Sequence, residues 1–262
     1  MTAPFLVTGG TGTLGRLVVP LLRSSGADVR VLSRRARSPE DGVTYVVGDL
    51  ATGAGVAAAT EGVGTVLHLA GSAKGDEEKA RTLVAAASGV RHLVFISVVG
   101  ADRVPVVSAI DRAMFGYYAS QRAAERVVEG SGVPWTTLRA TQFHDLILMV
   151  ARGLARLPVC PVPSGLRAQP IDAGEVAARL VSLALGEPAG LVPDLAGPEV
   201  HSLDDLVRSY LHTVGKRRPI LPVRIPGQAF QALRAGANLA PDHATGHITW
   251  TDFLATRLPT PH

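Results

Sequence analysis

Cysteine is almost missing from this chain of 262 residues: Cys160 stands alone, so no intrachain disulfide can form. That suits a reducing compartment and leaves burial to hold the fold. No apolar run reaches the roughly 18 residues that a membrane-spanning helix needs, so no membrane span is expected. Lysine is scarce as well. Only Lys74, Lys79 and Lys216 occur among 26 basic residues. Charged residues make up 18% and aromatics 5%. There is no basic leader before the strand-like Pro4-Phe5-Leu6-Val7-Thr8, and a cytoplasmic protein is expected. No repeat or low-complexity tract breaks the chain. Net charge is +4 and the pI about 9.6. The basic residues are scattered, however, and form no helical stripe interleaved with aromatics, so a nucleic-acid partner is not expected.

The apolar fraction is 47%, enough for a large core. Short apolar runs near 4–8, 28–33, 43–47, 65–69, 92–97 and 135–139 alternate with helical patterns near 13–25, 53–61, 76–88 and 111–130. That order predicts an α/β protein with a doubly wound parallel sheet and helices on both faces. Near-continuous apolar strands fit burial on two sides. After residue 140 proline becomes frequent, with Pro158, Pro161, Pro163 and Pro170 in a short span. Two helices are expected there, near 172–186 with Asp172 as its cap and near 203–214 after Ser202. The tail 216–262 shows no regular pattern. The expectation is one domain, 1–262, with a core at 1–145 and a mixed C-terminal part at 146–262 that returns to the sheet and forms a substrate pocket.

Gly9, Gly12 and Gly15 form a G-x-x-G-x-x-G run between the first strand and the first helix. Glycine clears Cβ where the chain turns sharply and where a pyrophosphate must reach the backbone. The free N–H groups of the helix start then face that anion. Gly9, Thr11, Gly12, Thr13, Leu14 and Gly15 are therefore candidate dinucleotide ligands. An NAD site usually carries an acid at the end of the second strand to hold the ribose hydroxyls. Here that strand ends in Ser33-Arg34-Arg35, and Asp28 sits at its other end. A hydroxyl and two guanidiniums suit a 2′-phosphate, so the expected cofactor is NADP(H). Asp49, with Leu50, is placed to receive the adenine amino group. Leu69-Ala70-Gly71, after the fourth strand, offers small residues beside the cofactor.

Thr8-Gly9-Gly10-Thr11-Gly12, Gly48-Asp49-Leu50, Phe95-Ile96-Ser97-Val98-Val99-Gly100 and Tyr117-Tyr118-x-x-Gln121-x-x-x-Glu125 together resemble the atypical short-chain dehydrogenase/reductase family, in its NmrA-like branch. The motifs cover about residues 5–145, and Pro170-Ile171-Asp172-x-x-Glu175-Val176-Ala177 resembles a later segment that returns to the sheet. The resemblance implies a Rossmann-type core with a small substrate-binding C-terminal part. It does not fix a reaction, because the family contains both reductases and cofactor-binding regulators.

In the wider family a Tyr and a Lys four residues on share a helix face, and a Ser ends the fifth strand. The resemblance puts Tyr117 in the tyrosine role and Ser97 in the serine role, but the lysine position holds Gln121. Gln121 shares the helical face of Tyr117 and can reach the ribose, but it carries no charge. Tyr118 with Arg122 is an alternative pair at the same spacing. Loss of the lysine harms alcohol oxidation, which needs an ionised phenol, more than ketone reduction, which needs a neutral one. The resemblance also places Ala140, Thr141 and Phe143 near the nicotinamide, and leaves His144 open as another acid. His243-x-x-x-His247 has metal-pair spacing but no neighbouring carboxylate and an internal glycine, so no metal is expected.

The leading expectation is an NADPH-dependent reductase of a small hydrophobic ketone or quinone-like substrate, acting as a monomer or homodimer. An Arg-, Ala-, Gly- and Pro-rich composition suits a high-GC bacterium, and specialised or antibiotic metabolism is one setting for such an enzyme. A non-catalytic NADP(H) sensor that binds a protein partner is the main alternative, and an isomerase or epimerase a third.

Overall fold

The computed structural model describes residues 3–39, 42–71 and 75–258. In chain order the elements are β1 (Phe5–Thr8), α1 (Gly15–Ser24), β2 (Val29–Ser33), β3 (Val43–Val47), α2 (Val56–Thr60), β4 (Thr65–His68) and α3 (Asp76–Ala86). There follow β5 (His92–Val98), α4 (Ala109–Glu129), β6 (Trp135–Ala140), α5 (His144–Leu154), β7 (Cys160–Pro163) and β8 (Arg167–Ala168). The chain closes with α6 (Ala173–Leu185), β9 (Gly190–Leu191), β10 (His201–Ser202), α7 (Leu203–Thr213), β11 (Ile220–Val223), α8 (Gln228–Arg234) and α9 (Trp250–Arg257).

Seven strands form a parallel sheet in the order β3-β2-β1-β4-β5-β6-β9. The first six are the strands expected from apolar patterning. β9 pairs with β6 through Thr136–Gly190 and Thr137–Leu191. Leu6, Val66 and Leu93 lie in one row across β1, β4 and β5. They pack with Leu83 of α3 and with Ala124 and Val128 of α4 into a buried core. Each is an apolar residue on a strand covered by a helix, which is why the strand runs look continuous in sequence.

The chain divides into two compact units: Met1–Ser97 with Gly116–Arg139 and Gly174–Pro193, and Val98–Phe115 with Ala140–Ala173 and Asp194–His262. The first holds the sheet. The second has its own core, in which Ile147, Leu148 and Ala151 of α5 meet Leu206, Val207 and Tyr210 of α7 and Trp250, Phe253 and Leu254 of α9. Cys160 is buried in that core. The helix expected after Ser202 is α7, and the Ser202 side chain caps it by accepting the Asp205 N–H. The tail departs from expectation, because β11, α8 and α9 fall within the stretch that showed no pattern. Thr249 and Asp252 close a reciprocal capping box at the start of α9. No helix among the described residues is long and apolar enough to cross a membrane.

Candidate nucleotide and active site

β1 and β4 are neighbours in the sheet, but the chain leaves them in opposite directions, toward β2 and toward β5. Ligands of open parallel sheets settle in the crevice at the carboxyl ends of such a strand pair. Thr8 ends β1 and His68 ends β4, with Thr8 Oγ1 2.7 Å from His68 Nδ1. His68 is buried and stacks on Phe95 with ring centroids 5.4 Å apart. Burial, and then the charge of Lys79, hold its pKa down at about 4. It is therefore a neutral link between the two strand ends.

The glycine loop leaves β1 at this point. Gly9 has φ +70° and lies against β4, where a Cβ would come within 2.8 Å of the Leu69 carbonyl and the Ala70 nitrogen. A Cβ on Gly15 would meet Gly9 O at 2.3 Å, so helix and loop touch backbone to backbone. Gly12 differs. Its added Cβ would meet only Gly9 O, at 3.2 Å, and it is exposed with Thr13. Packing therefore explains Gly9 and Gly15, whereas Gly12 leaves open space in front of the start of α1. That opening, at the positive end of the helix, is of the kind that takes a dinucleotide pyrophosphate. Arg16, missed in the sequence, braces the loop by donating from Nε to the Thr11 carbonyl at 2.9 Å.

At the end of β2 the Ser33 hydroxyl donates to the Arg35 carbonyl at 2.8 Å, making a tight turn that leaves Arg34 and Arg35 exposed. Ser33 is thus engaged locally. At the end of β3, Asp49 Oδ1 accepts the Ala51 N–H at 2.9 Å, and Leu50 is buried. Leu69, Ala70 and Gly71 follow β4 beside the glycine loop.

α4 and α3 supply the remaining chemistry of the first unit. Ser97, near the end of β5, is 5% exposed, and its Oγ has no hydrogen-bond partner among the described residues. Gln121 is 2% exposed and donates from Nε2 to Asp76 Oδ2 at 2.9 Å. Lys79 Nζ lies 3.0 Å from Asp76 Oδ1. Sequence spacing did not connect Asp76 or Lys79 with Gln121, since they lie on another helix. Tyr117 is one helical turn before Gln121. Desolvation first, then the Asp76 charge and then Tyr118 raise its pKa above that of a free phenol. With 40% of Tyr117 exposed, water weakens the first of these effects. Burial pushes Tyr118 up to about 12. The alternative pair of Tyr118 with Arg122 loses support, because Arg122 Nη1 is committed to Glu125 at 2.8 Å and Glu129 at 2.9 Å.

Ala140 closes β6 and belongs to the second unit together with Thr141 and Phe143. The Thr141 N–H donates to the Leu195 carbonyl at 3.0 Å, and Phe143 bridges Ile171. His144 is fully buried, 4.8 Å from Phe253 and 5.9 Å from Trp250 between ring centroids. Burial holds its pKa at about 4, so it is an aromatic core residue and a poor acid–base group at neutral pH. His243 ends a short 3-10 turn that stops before His247. Among the described residues no three His, Cys, Asp or Glu side chains cluster as metal ligands would. A cavity of about 760 Å³ lined by Ala3, Thr60, Gly64, Ala86 and Arg91 lies at the amino ends of the strands, away from this chemistry.

Residues 9–147 match the family described as NAD(P)H-binding. A (4-alkanoyl-5-oxo-2,5-dihydrofuran-3-yl)methyl phosphate reductase of Streptomyces griseus is 35% identical over 155 residues, which are 57% of this chain and 51% of that protein. The match therefore spans about half the length of that relative. The ceramide reductase of Caulobacter vibrioides is 29% identical over 255 residues, 88% of this chain and 75% of that protein. The fold is that of an NADPH-dependent quinone oxidoreductase of Escherichia coli solved with NADPH, at a TM-score of 0.80 and 18% identity over 96% of this chain and 99% of that one. The chain thus belongs to the NAD(P)H-binding family, consistent with the NmrA-like branch of the atypical short-chain dehydrogenases/reductases.

Proposed function

We propose that the chain is an NADPH-dependent reductase of a small hydrophobic carbonyl compound, a ketone or a quinone-like enone, working in the cytoplasm as a monomer or homodimer. The observation that carries this reading is the state of Tyr117, whose desolvation and whose neighbour Asp76 both oppose ionisation. A neutral phenol is a poor base for oxidising an alcohol, but it can protonate the strongly basic alkoxide left when a ketone is reduced. When bound, NADPH supplies the hydride. Ser97 Oγ, buried and without a partner among the described residues, is available to donate to the substrate oxygen as charge builds on it. Tyr117 then gives its proton to that oxygen, and Gln121 contacts the nicotinamide ribose.

Gly9, Thr11, Gly12, Thr13, Leu14 and Gly15 hold the pyrophosphate in this proposal. Arg34 and Arg35 receive the 2′-phosphate, joined by Ser33 once its hydroxyl turns from the Arg35 carbonyl; Asp49 and Leu50 receive the adenine, and Leu69, Ala70 and Gly71 border the nicotinamide half. The names of the two sequence relatives, both reductases, support the direction of reaction. Specialised metabolism is the setting we favour. The test is NADPH depletion against a panel of ketones, quinones and enones. Turnover of at least one class is expected.

A second reading, a non-catalytic NADP(H) sensor, draws support from Gln121, a neutral residue where the family's lysine stands. It predicts tight NADPH binding and no turnover of any carbonyl in the same panel.

A further inference from the structure

We propose that Asp76, held by Lys79, is the positioning residue that turns Gln121 into a hydrogen-bond acceptor for a hydroxyl of the nicotinamide ribose. The proposal rests on the reductase reading of this same site.

A carboxylate paired with an ammonium group can only accept hydrogen bonds, and a glutamine amide has one donating and one accepting end. Asp76 Oδ2 lies 2.9 Å from Gln121 Nε2. The donating end of the amide is therefore committed to Asp76, and the orientation of the group is fixed by chemistry. Its oxygen faces the other way. Gln121 Oε1 is buried and has no partner among the described residues. A buried carbonyl oxygen without a partner is costly, and a hydroxyl that reaches it removes that cost.

Two further contacts hold the arrangement. Lys79 Nζ sits 3.0 Å from the other Asp76 oxygen. The Asp76 N–H donates to Ser120 Oγ at 3.3 Å, so the first residue of α3 is fixed to two successive residues of α4. A Cβ on Gly71 would lie 3.8 Å from Gln121 Nε2 and 3.9 Å from Asp76 Oδ2, so the segment leaving β4 runs beside the pair. Where a lysine occupies the Gln121 position, its ammonium donates to the ribose. Here the polarity is reversed, and a ribose hydroxyl, both donor and acceptor, can serve either way. Among the described residues the lysine on this network, Lys79, stands behind a carboxylate. The Asp76 charge faces Tyr117 and opposes loss of its proton, as proton donation in reduction requires.

The test measures NADPH binding by calorimetry for wild type, Asp76→Ala, Gln121→Met and the double variant, each confirmed folded by circular dichroism. Each single change is expected to weaken binding about two- to tenfold, the range of one hydrogen bond. The double variant should be no weaker than the worse single, because both remove the same contact. Should Asp76→Ala fail to fold, Asp76→Leu, which keeps the size and has no acceptor, takes its place in the cycle. A folded Asp76 variant with wild-type affinity, or losses that multiply in the double, overturns the proposal.

A second readout needs no cofactor. Tyrosinate absorbance is titrated in wild type and Asp76→Asn, each against its Tyr117→Phe counterpart. Ionisation of Tyr117 should move to lower pH in Asp76→Asn. A mere tie between helices would leave it in place, and that result also overturns the proposal. If wild type shows the coupled binding losses but reduces no carbonyl, the reductase reading fails and the positioning role stands. If wild type reduces carbonyls while Asp76 variants bind NADPH normally, the positioning role fails alone.

Discussion

Arg139 grips Glu125 with two parallel hydrogen bonds, Nε to Oε1 and Nη2 to Oε2, each 2.7 Å long. Both side chains are buried, and Arg122 adds a third contact to the same carboxylate at 2.8 Å. This joins α4 to β6 one turn beyond Gln121, and so sets the height of Tyr117 and Gln121 along the helix. Removing one partner breaks a buried ion pair, which typically costs about 3–5 kcal/mol. Glu125→Ala should lose that much in urea unfolding. Glu129→Ala, at the more exposed end of the network, should lose less than about 1 kcal/mol. Equal losses would show that the buried clasp does not set the stability of α4.

The six expected strands of the sheet were legible because each is an apolar run between helical patterns. Their pairing follows from a glycine loop that needs a strand before it and a helix after it. β9 was not legible, because two residues, Gly190 and Leu191, carry no periodicity. α9 should have been. Thr249 and Asp252 are a capping box, and Trp250, Phe253 and Leu254 are an apolar i, i+3, i+4 face. α5 shows the same face in His144, Ile147, Leu148 and Ala151, with a histidine in the first place. For the candidate site, the family motif proposes Ser97, Tyr117 and Gln121. It does not point to Asp76 or Lys79, because more than forty residues separate Asp76 from Gln121 and only the parallel sheet brings their helices together. The Glu125 of the motif had no assigned role until its partner on β6 was seen.

Two buried histidines make stability sensitive to mild acid. Burial lowers His68 and His144 from 6.5 to about 4. In the unfolded chain each binds a proton as pH falls below 6.5, but in the folded chain only near 4. Their stabilising contribution is full above 6.5, declines as pH falls from 6.5 to 4, and is gone below that. The slope is about 1.4 kcal/mol per pH unit for each histidine within the window. Urea midpoints at pH 7, 6 and 5 should fall steadily, and His144→Phe, which keeps the stack on Phe253, should flatten part of that fall. A variant with the wild-type slope would mean that His144 does not contribute to it.

Gly12→Val should abolish NADPH binding while leaving the chain folded. The protein itself offers only Gly9 O at 3.2 Å against a new Cβ, so the cost to folding is small. The side chain would instead fill the space in front of α1 that the pyrophosphate needs. Circular dichroism and calorimetry together decide this. A folded variant that binds NADPH normally moves the phosphate loop elsewhere.

The exposed pair Arg34 and Arg35 should make NADPH bind more tightly than NADH. Loss of a charged hydrogen-bond partner costs about 1.5–3 kcal/mol, or roughly ten- to hundredfold in affinity. Arg34→Ala or Arg35→Ala should therefore erode NADPH binding by that factor and leave NADH nearly unchanged. Equal affinity of wild type for the two cofactors would refute the assignment of the β2 end.

Gln121→Lys and Tyr117→Phe together test the direction of the chemistry. A lysine restored at 121 would bring a cation toward Tyr117 and offset Asp76. Only alcohol oxidation needs an ionised phenol, so the change should help oxidation more than reduction. Tyr117→Phe should slow ketone reduction by about 10²–10⁴ if Tyr117 is the general acid. Because desolvation and Asp76 raise the Tyr117 pKa, the wild-type reduction rate should stay level from neutral into mildly alkaline pH. Gln121→Lys should begin to lose reductive rate at a lower pH than wild type, as its phenol ionises sooner. The measurement is the pH dependence of kcat in both directions for all three proteins. Reduction that survives Tyr117→Phe would keep the enzyme but transfer the proton-donating role to the substrate's own hydroxyl. Tight NADPH binding with no turnover in wild type and none awakened by Gln121→Lys would instead give the site to the sensor reading.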